Sequence, residues 1–78
     1  MYLHVGNDTV VKISELVAVL TAKMLNDSPL LQRFLNENEV IDLAEGNPKS
    51  IVITAHHIYL SPIGSTALKR KSASISTL

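Results

Sequence analysis

The 78 residues predict an α+β fold: a small antiparallel sheet of five or six strands, one main helix at about 29–39 and a short basic C-terminal helix. Three observations lead there. Runs of β-branched residues are separated by Gly, Asn, Asp and Pro; one segment alone, Leu30 to Leu35, sets its apolar residues in a helical stripe; and the last charged run, Lys69-Arg70-Lys71, follows a Gly64-Ser65 turn.

Tyr2-Leu3-His4-Val5 reads as a strand, Gly6-Asn7-Asp8 as a turn and Thr9 to Ile13 as the returning strand, an opening hairpin. Leu16 to Thr21 is valine-rich with no 3.6-residue period, so it is expected as a third strand. Alternation would put Leu16, Ala18 and Leu20 on one face and Val17 and Val19 on the other. Both faces are apolar, so one is expected against the core and the other against a neighbouring chain, with Leu16, Val17 and Val19 as the interface candidates.

Ser28-Pro29 is a helix start, because a serine oxygen accepts from the first free amides and proline is preorganised at the first helical position. Leu30, Leu31, Phe34 and Leu35 then form the apolar stripe opposite Gln32, Arg33, Asn36 and Glu37. Val40 to Ala44 returns as a strand, Glu45 to Lys49 is turn chemistry, and Ser50 to Ala55 is the most strand-like stretch. A second hairpin is expected from these, with Lys49 at its exposed tip. His56-His57 interrupt the pattern, Ile58 to Ser61 make a last strand stopped by Pro62, and Thr66 to Lys71 form a short helix capped by Ser65.

So short a chain is one domain, here placed at 1–71, with 72–78 expected as a frayed tail. It buries only roughly 60–65% of the surface its unfolded form exposes. No cysteine is present, which excludes disulfides, thiolate metal sites and cysteine nucleophiles. Hydrophobic residues make up 46% and charged residues 18%, so apolar surface is left over for self-association. No apolar run is long enough to span a bilayer, and Met1-Tyr2-Leu3-His4 lacks signal-peptide features; no membrane partner and a cytoplasmic location are expected.

The formal net charge is zero, but its distribution is uneven. Residues 1–45 hold all seven acids against Lys12, Lys23 and Arg33, a balance of −4, while 46–78 hold Lys49, Lys69, Arg70 and Lys71 with no acid, +4. Such asymmetry points to a polyanionic partner, double-stranded DNA. The bland alternative for Lys69 to Lys71 is a solvated last helical turn, where the helix dipole favours cations. Four cations engage few phosphates, so repetition of the same edge around an oligomer would supply the affinity.

Other chemistry is poorly supported. Neighbouring strand residues point to opposite faces, so His56 and His57 do not share a metal without a bend. Ser61, His57 and Asp42 could be assembled as a catalytic trio, yet no nucleophile elbow or spacing supports one. Gly46-Asn47-Pro48-Lys49-Ser50 has one glycine and leads into a strand, not the helix of a phosphate loop. No enzyme, metal or cofactor is expected.

The opening Met-Tyr-Leu-His-Val-Gly-Asn-Asp, the Val10-Val11 strand, Ser28-Pro29, Pro48 to Thr54, Ile58 to Pro62 and Ser65 to Lys69, in this order, resemble the RemB family of bacterial extracellular matrix regulators. The likeness to the sister RemA branch is more distant. The resemblance implies a small cytosolic regulator from a Gram-positive, spore-forming type of bacterium, linked to transcription of biofilm matrix genes. In the RemA branch it implies subunits that assemble into rings and bind DNA through basic residues, in a domain likened to LytTR-type modules. The loop where that branch places arginines is here Gly46-Asn47-Pro48-Lys49, with a charge only at Lys49, and a segment basic there is here Ser14-Glu15.

Two functions follow as expectations. One is an oligomeric, ring-like DNA-binding regulator whose Lys49, Lys69, Arg70, Lys71 and Lys12 contact phosphates, with Lys23 a further basic candidate. The alternative is a subunit that co-assembles with a RemA-like protein partner without binding DNA, favoured by the neutral charge and Glu15.

Overall fold

A computed structural model describes residues 1–76. The order is β1 (Tyr2–Gly6), β2 (Thr9–Lys12), a 3-10 turn (Ile13–Glu15), β3 (Leu16–Thr21), α1 (Met24–Asp27), α2 (Pro29–Asn36), β4 (Val40–Asp42), β5 (Ser50–Thr54), β6 (Ile58–Ser61) and α3 (Ser65–Ser76). The mixed α+β class is as the sequence predicts. The strands form two sheets: the β1–β2 hairpin and a four-stranded sheet in the order β3-β5-β6-β4.

The opening hairpin pairs Leu3 with Val11 and His4 with Val10, and shifts register between His4 and Gly6. Gly6 has φ +143, and a Cβ there would lie 2.8 Å from Cδ of Pro62. Only glycine meets both demands at this corner. Asn7 follows at φ 49, a conformation that asparagine tolerates better than most residues.

The four-stranded sheet corrects two expectations. β4 and β5 do not form a hairpin: β5 pairs antiparallel with β3 and β6, and β4 lies on the far side of β6, parallel to it. Residues 43–49 are therefore a connection between non-adjacent strands, and Lys49 is not a hairpin tip. Its backbone carries the ladder outward, with Lys49 N donating to Ser61 O and Lys49 O accepting from Ala22 N. The second hairpin is β5–β6, closed by Ala55-His56-His57, where Thr54 Oγ1 accepts from His57 N at 3.0 Å and donates to His57 O at 2.8 Å.

A bulge between Leu16 and Ala18 corrects the face assignment in β3. One extra residue turns Leu16 onto the same face as Val19, because side chains alternate with a period of two. Val19 is buried in the core and Leu16 packs against it, which leaves Val17 exposed.

The sheet lies between two layers. On one face, Val19, Val52 and Tyr59 meet Leu3, Val5 and Val11 of the hairpin and Leu68 of α3, with Ile13, Leu43 and Ile63 at the margin. Two buried serines tie these parts together: Ser61 Oγ donates to Val5 O and accepts from Ile63 N, and Ser50 Oγ donates to Ile63 O. On the other face lie Ile51, Ile53, Ile58 and Leu60, and α2 crosses this side, where Phe34 shares a groove with Ile53 and Ile58.

α2 starts as expected, with Pro29 in its first turn and Ser28 Oγ accepting from Leu31 N at 3.1 Å. It stops three residues short of the predicted 39, where Asn38 Nδ2 donates back to Phe34 O. Replacing Ser28 with alanine is expected to lower stability by about 1 kcal/mol in a urea melt. An unchanged midpoint would show the cap to be idle. α3 begins with Leu68 N donating to Gly64 O, which places Gly64, not Ser65, at its entry. It extends past the 71 expected, and of the 72–78 tail the side chains from 73 onward and residues 77–78 lie outside the described residues.

Candidate functional site

The candidate cations divide between the two ends of the sheet. β3 runs from Leu16, opposite Thr54, to Thr21, opposite Ser50. At the Thr21 end, Lys23 and Lys49 line one open groove of about 330 Å³ with Thr21, Ala22, Asn26 and Pro48. The arrangement follows from the ladder, since the hydrogen bond from Ala22 N to Lys49 O carries the β3–β5 pairing just past the strands. Two ammonium groups, an amide and a hydroxyl around one hollow offer donors suited to a phosphate oxygen. The sequence hides this pair, because the two lysines lie 26 positions apart.

α3 starts at the same end, just beyond Ser61. Lys69, Arg70 and Lys71 are exposed, and they lie about 6–9 Å along the axis from its first residue. Successive helical residues are about 100° apart, so the three cations fan over roughly 200° instead of forming one flat face. Leu68 faces the core, which turns Arg70 almost directly outward.

Lys12 is exposed but lies at the end of β2, joined by the 3-10 turn to the start of β3. It is thus about the length of β3, roughly 20 Å, from the Lys23–Lys49 groove. That second end has acids of its own. Glu15 Oε1 is 4.0 Å from Nε2 of His56, and Glu39 lines a groove with Asn38, His56 and His57. The two halves of the sequence interleave in the fold: Glu15 and Glu39 lie with the imidazoles of the β5–β6 turn, whereas Asp42, paired with Leu60, and the turn of the opening hairpin, where Gly6 meets Pro62, lie toward the end that carries Lys49. Asp42 is engaged locally, accepting from Ala44 N at 2.8 Å and from Gly46 N at 2.9 Å.

The catalytic trio considered from sequence is dispersed. Ser61 is buried with both hydrogen-bonding roles used, His57 lies roughly 13 Å away by strand rise, and Asp42 closes its own turn. Among the described residues no three His, Asp or Glu side chains cluster as metal ligands. The His57 ring sits 5.9 Å from that of Tyr59, tilted by 45°, an ordinary aromatic contact. Among the described residues no helix is long and apolar enough to cross a membrane.

A family model described as Extracellular matrix regulatory protein A-like (RemA-like) matches residues 2–71. The chain is also 39% identical over 74 residues to Extracellular matrix regulatory protein B of Bacillus subtilis (strain 168), an alignment covering 92% of this chain and 90% of that protein. The match spans both sheets, the Lys23–Lys49 groove and the start of α3, and the chain belongs to the RemA-like family of extracellular matrix regulatory proteins.

Proposed function

We propose that this chain is a subunit of an oligomeric, cytoplasmic DNA-binding regulator of biofilm matrix genes, engaging duplex phosphates at the end of the sheet that carries Lys49. The observation that supports this most is the groove that Lys23 and Lys49 both line, at the end of the sheet where α3 starts. These cations position the protein on a backbone and offer no set of side chains for reading bases. One subunit presents few of them, so binding depends on repetition along the duplex. Lys12 has no part in this edge.

The test is binding to a duplex of about a hundred base pairs as salt is raised. Log affinity falls with log salt by a slope of about 0.9 for every phosphate that the protein neutralises. Lys23→Ala and Lys49→Ala are each expected to flatten the slope by about that much per engaged subunit. A variant that also replaces Lys69, Arg70 and Lys71 is expected to bind negligibly at physiological salt. Equal slopes for wild type and Lys49→Ala would remove the groove from the DNA-binding edge.

A second reading is favoured by the zero net charge and by the fan of the α3 cations, which limits how many reach one duplex. Here the chain co-assembles with a RemA-like partner and leaves DNA to it. No binding by the pure protein at low salt, together with formation of a mixed complex, would decide for this reading.

A further inference from the structure

We propose that the groove lined by Lys23 and Lys49 is a site for the phosphate monoester of a small molecule, which takes the place of a DNA phosphate there and competes with the duplex. This rests on the phosphate reading of that groove given above and goes beyond it in naming a second ligand. Two observations favour the small ligand. The groove is a hollow of about 330 Å³, at the small end of the range of about 300–1,000 Å³ for clefts that hold small molecules. It also gathers two cations in one place. A backbone phosphodiester brings one negative charge, whereas a monoester carries about −1.5 to −2 at pH 7 and three acceptor oxygens on one phosphorus. One monoester therefore matches both ammonium groups at once, and a diester leaves one of them short of a counter-charge.

The walls of the hollow are fixed before any ligand arrives. Ala22 N donates to Lys49 O at 3.1 Å and Lys49 N to Ser61 O at 2.8 Å, so the sheet ladder holds the backbone that carries Lys49. On the other side Asn26 N donates to Lys23 O at 3.2 Å and Lys23 N to Thr21 Oγ1 at 3.4 Å, which holds the turn that carries Lys23. A backbone already in place loses less entropy on binding. Thr21 Oγ1 accepts in its bond and keeps its own proton to donate, and the Asn26 amide adds two N–H groups. Ala22 and Pro48 supply apolar wall for the carbon skeleton that bears the phosphate. The carboxylates of this end do not line the hollow: Asp27 follows Asn26 in α1, Asp8 sits in the opening hairpin turn, Glu45 precedes Gly46, and Asp42 is turned to Ala44 N and Gly46 N.

Methyl phosphate, a monoester, and dimethyl phosphate, a diester, are the two probes. Each is mixed with the full-length protein at constant ionic strength and about pH 8, above the second pKa of a monoester at about 6, and its phosphorus NMR line is followed. Methyl phosphate is expected to bind saturably and dimethyl phosphate to stay free. Lys23→Ala and Lys49→Ala, both at exposed positions and with circular dichroism unchanged, are each expected to weaken methyl phosphate about tenfold, the loss of one charge-assisted hydrogen bond. Binding that does not saturate, or that survives both substitutions, would mean an adventitious ion only and overturn the proposal, as would equal binding of the diester. In a second arm, saturating methyl phosphate is expected to release duplex DNA from the wild type where the same concentration of dimethyl phosphate does not. A duplex that stays bound to a saturated groove overturns the competition. A protein that binds the monoester through both lysines and no duplex at any salt keeps the monoester site and loses the DNA reading together with the competition.

Discussion

Leu68→Ala is expected to destabilise the protein by about 2–5 kcal/mol, the range for removing a fully buried leucine and leaving a cavity. Leu68 has no exposed surface and, among the described residues, is the one member of α3 in the buried core cluster, where it meets the hairpin and β3. A domain of this size has a total stability of about 4–12 kcal/mol, so the change removes a large share of it. Urea melts followed by circular dichroism measure the loss. Because α3 packs on the sheet at this buried side chain, hydrogen exchange in α3 is expected to rise before the sheet unfolds. A loss below about 1 kcal/mol would mean that α3 does not hold the core closed.

Gly6→Ala has the second large effect, for a different reason. At φ +143 an L-residue is strained by about 1–3 kcal/mol. The added methyl also lies 2.8 Å from Cδ of Pro62, which is held by the buried Ser61 and Ile63 bonds and has little room to yield. Overpacking of this kind adds about 1–3 kcal/mol more. The two causes separate in a double-mutant cycle: Pro62→Ala in the Gly6→Ala background is expected to relieve the clash but not the strain. Full recovery would mean that backbone strain contributes nothing, and no recovery would mean that Pro62 is not the obstacle.

The elements themselves are largely legible in the sequence, because each depends on local chemistry. Ser28-Pro29 announces α2, Gly6-Asn7 the first turn, and Pro62 the end of β6. What local patterns do not carry is pairing. Val40 to Asp42 reads as a strand from either side, and nothing within it says that its neighbour is β6, parallel, instead of β5. The bulge after Leu16 is equally silent, since an apolar run with both faces apolar has no register to betray a slip. Met24–Asp27 escapes a sequence reading because one helical turn is too short to show a period. In the candidate site, Lys49 is legible as an exposed cation after a turn. Its partnership with Lys23, and its separation from Lys12, depend on β3 pairing with β5 across 28 intervening residues, 22–49.

That intervening stretch has a consequence for how the molecule tolerates change. β3, β5 and β6 form a continuous antiparallel ladder, and α1, α2 and β4 are all looped out between its first two strands. Closing such a loop becomes harder only with the logarithm of its length, about 0.6 kcal/mol for each doubling. Chain added or removed near Glu37–Glu39 or Glu45–Asn47, away from ladder hydrogen bonds, therefore perturbs the sheet little. It would nevertheless move α2 or re-aim the approach to Lys49. The same topology leaves evolution, or a designer, free to retune contacts to neighbours and to nucleic acid without rewriting the framework that supports them.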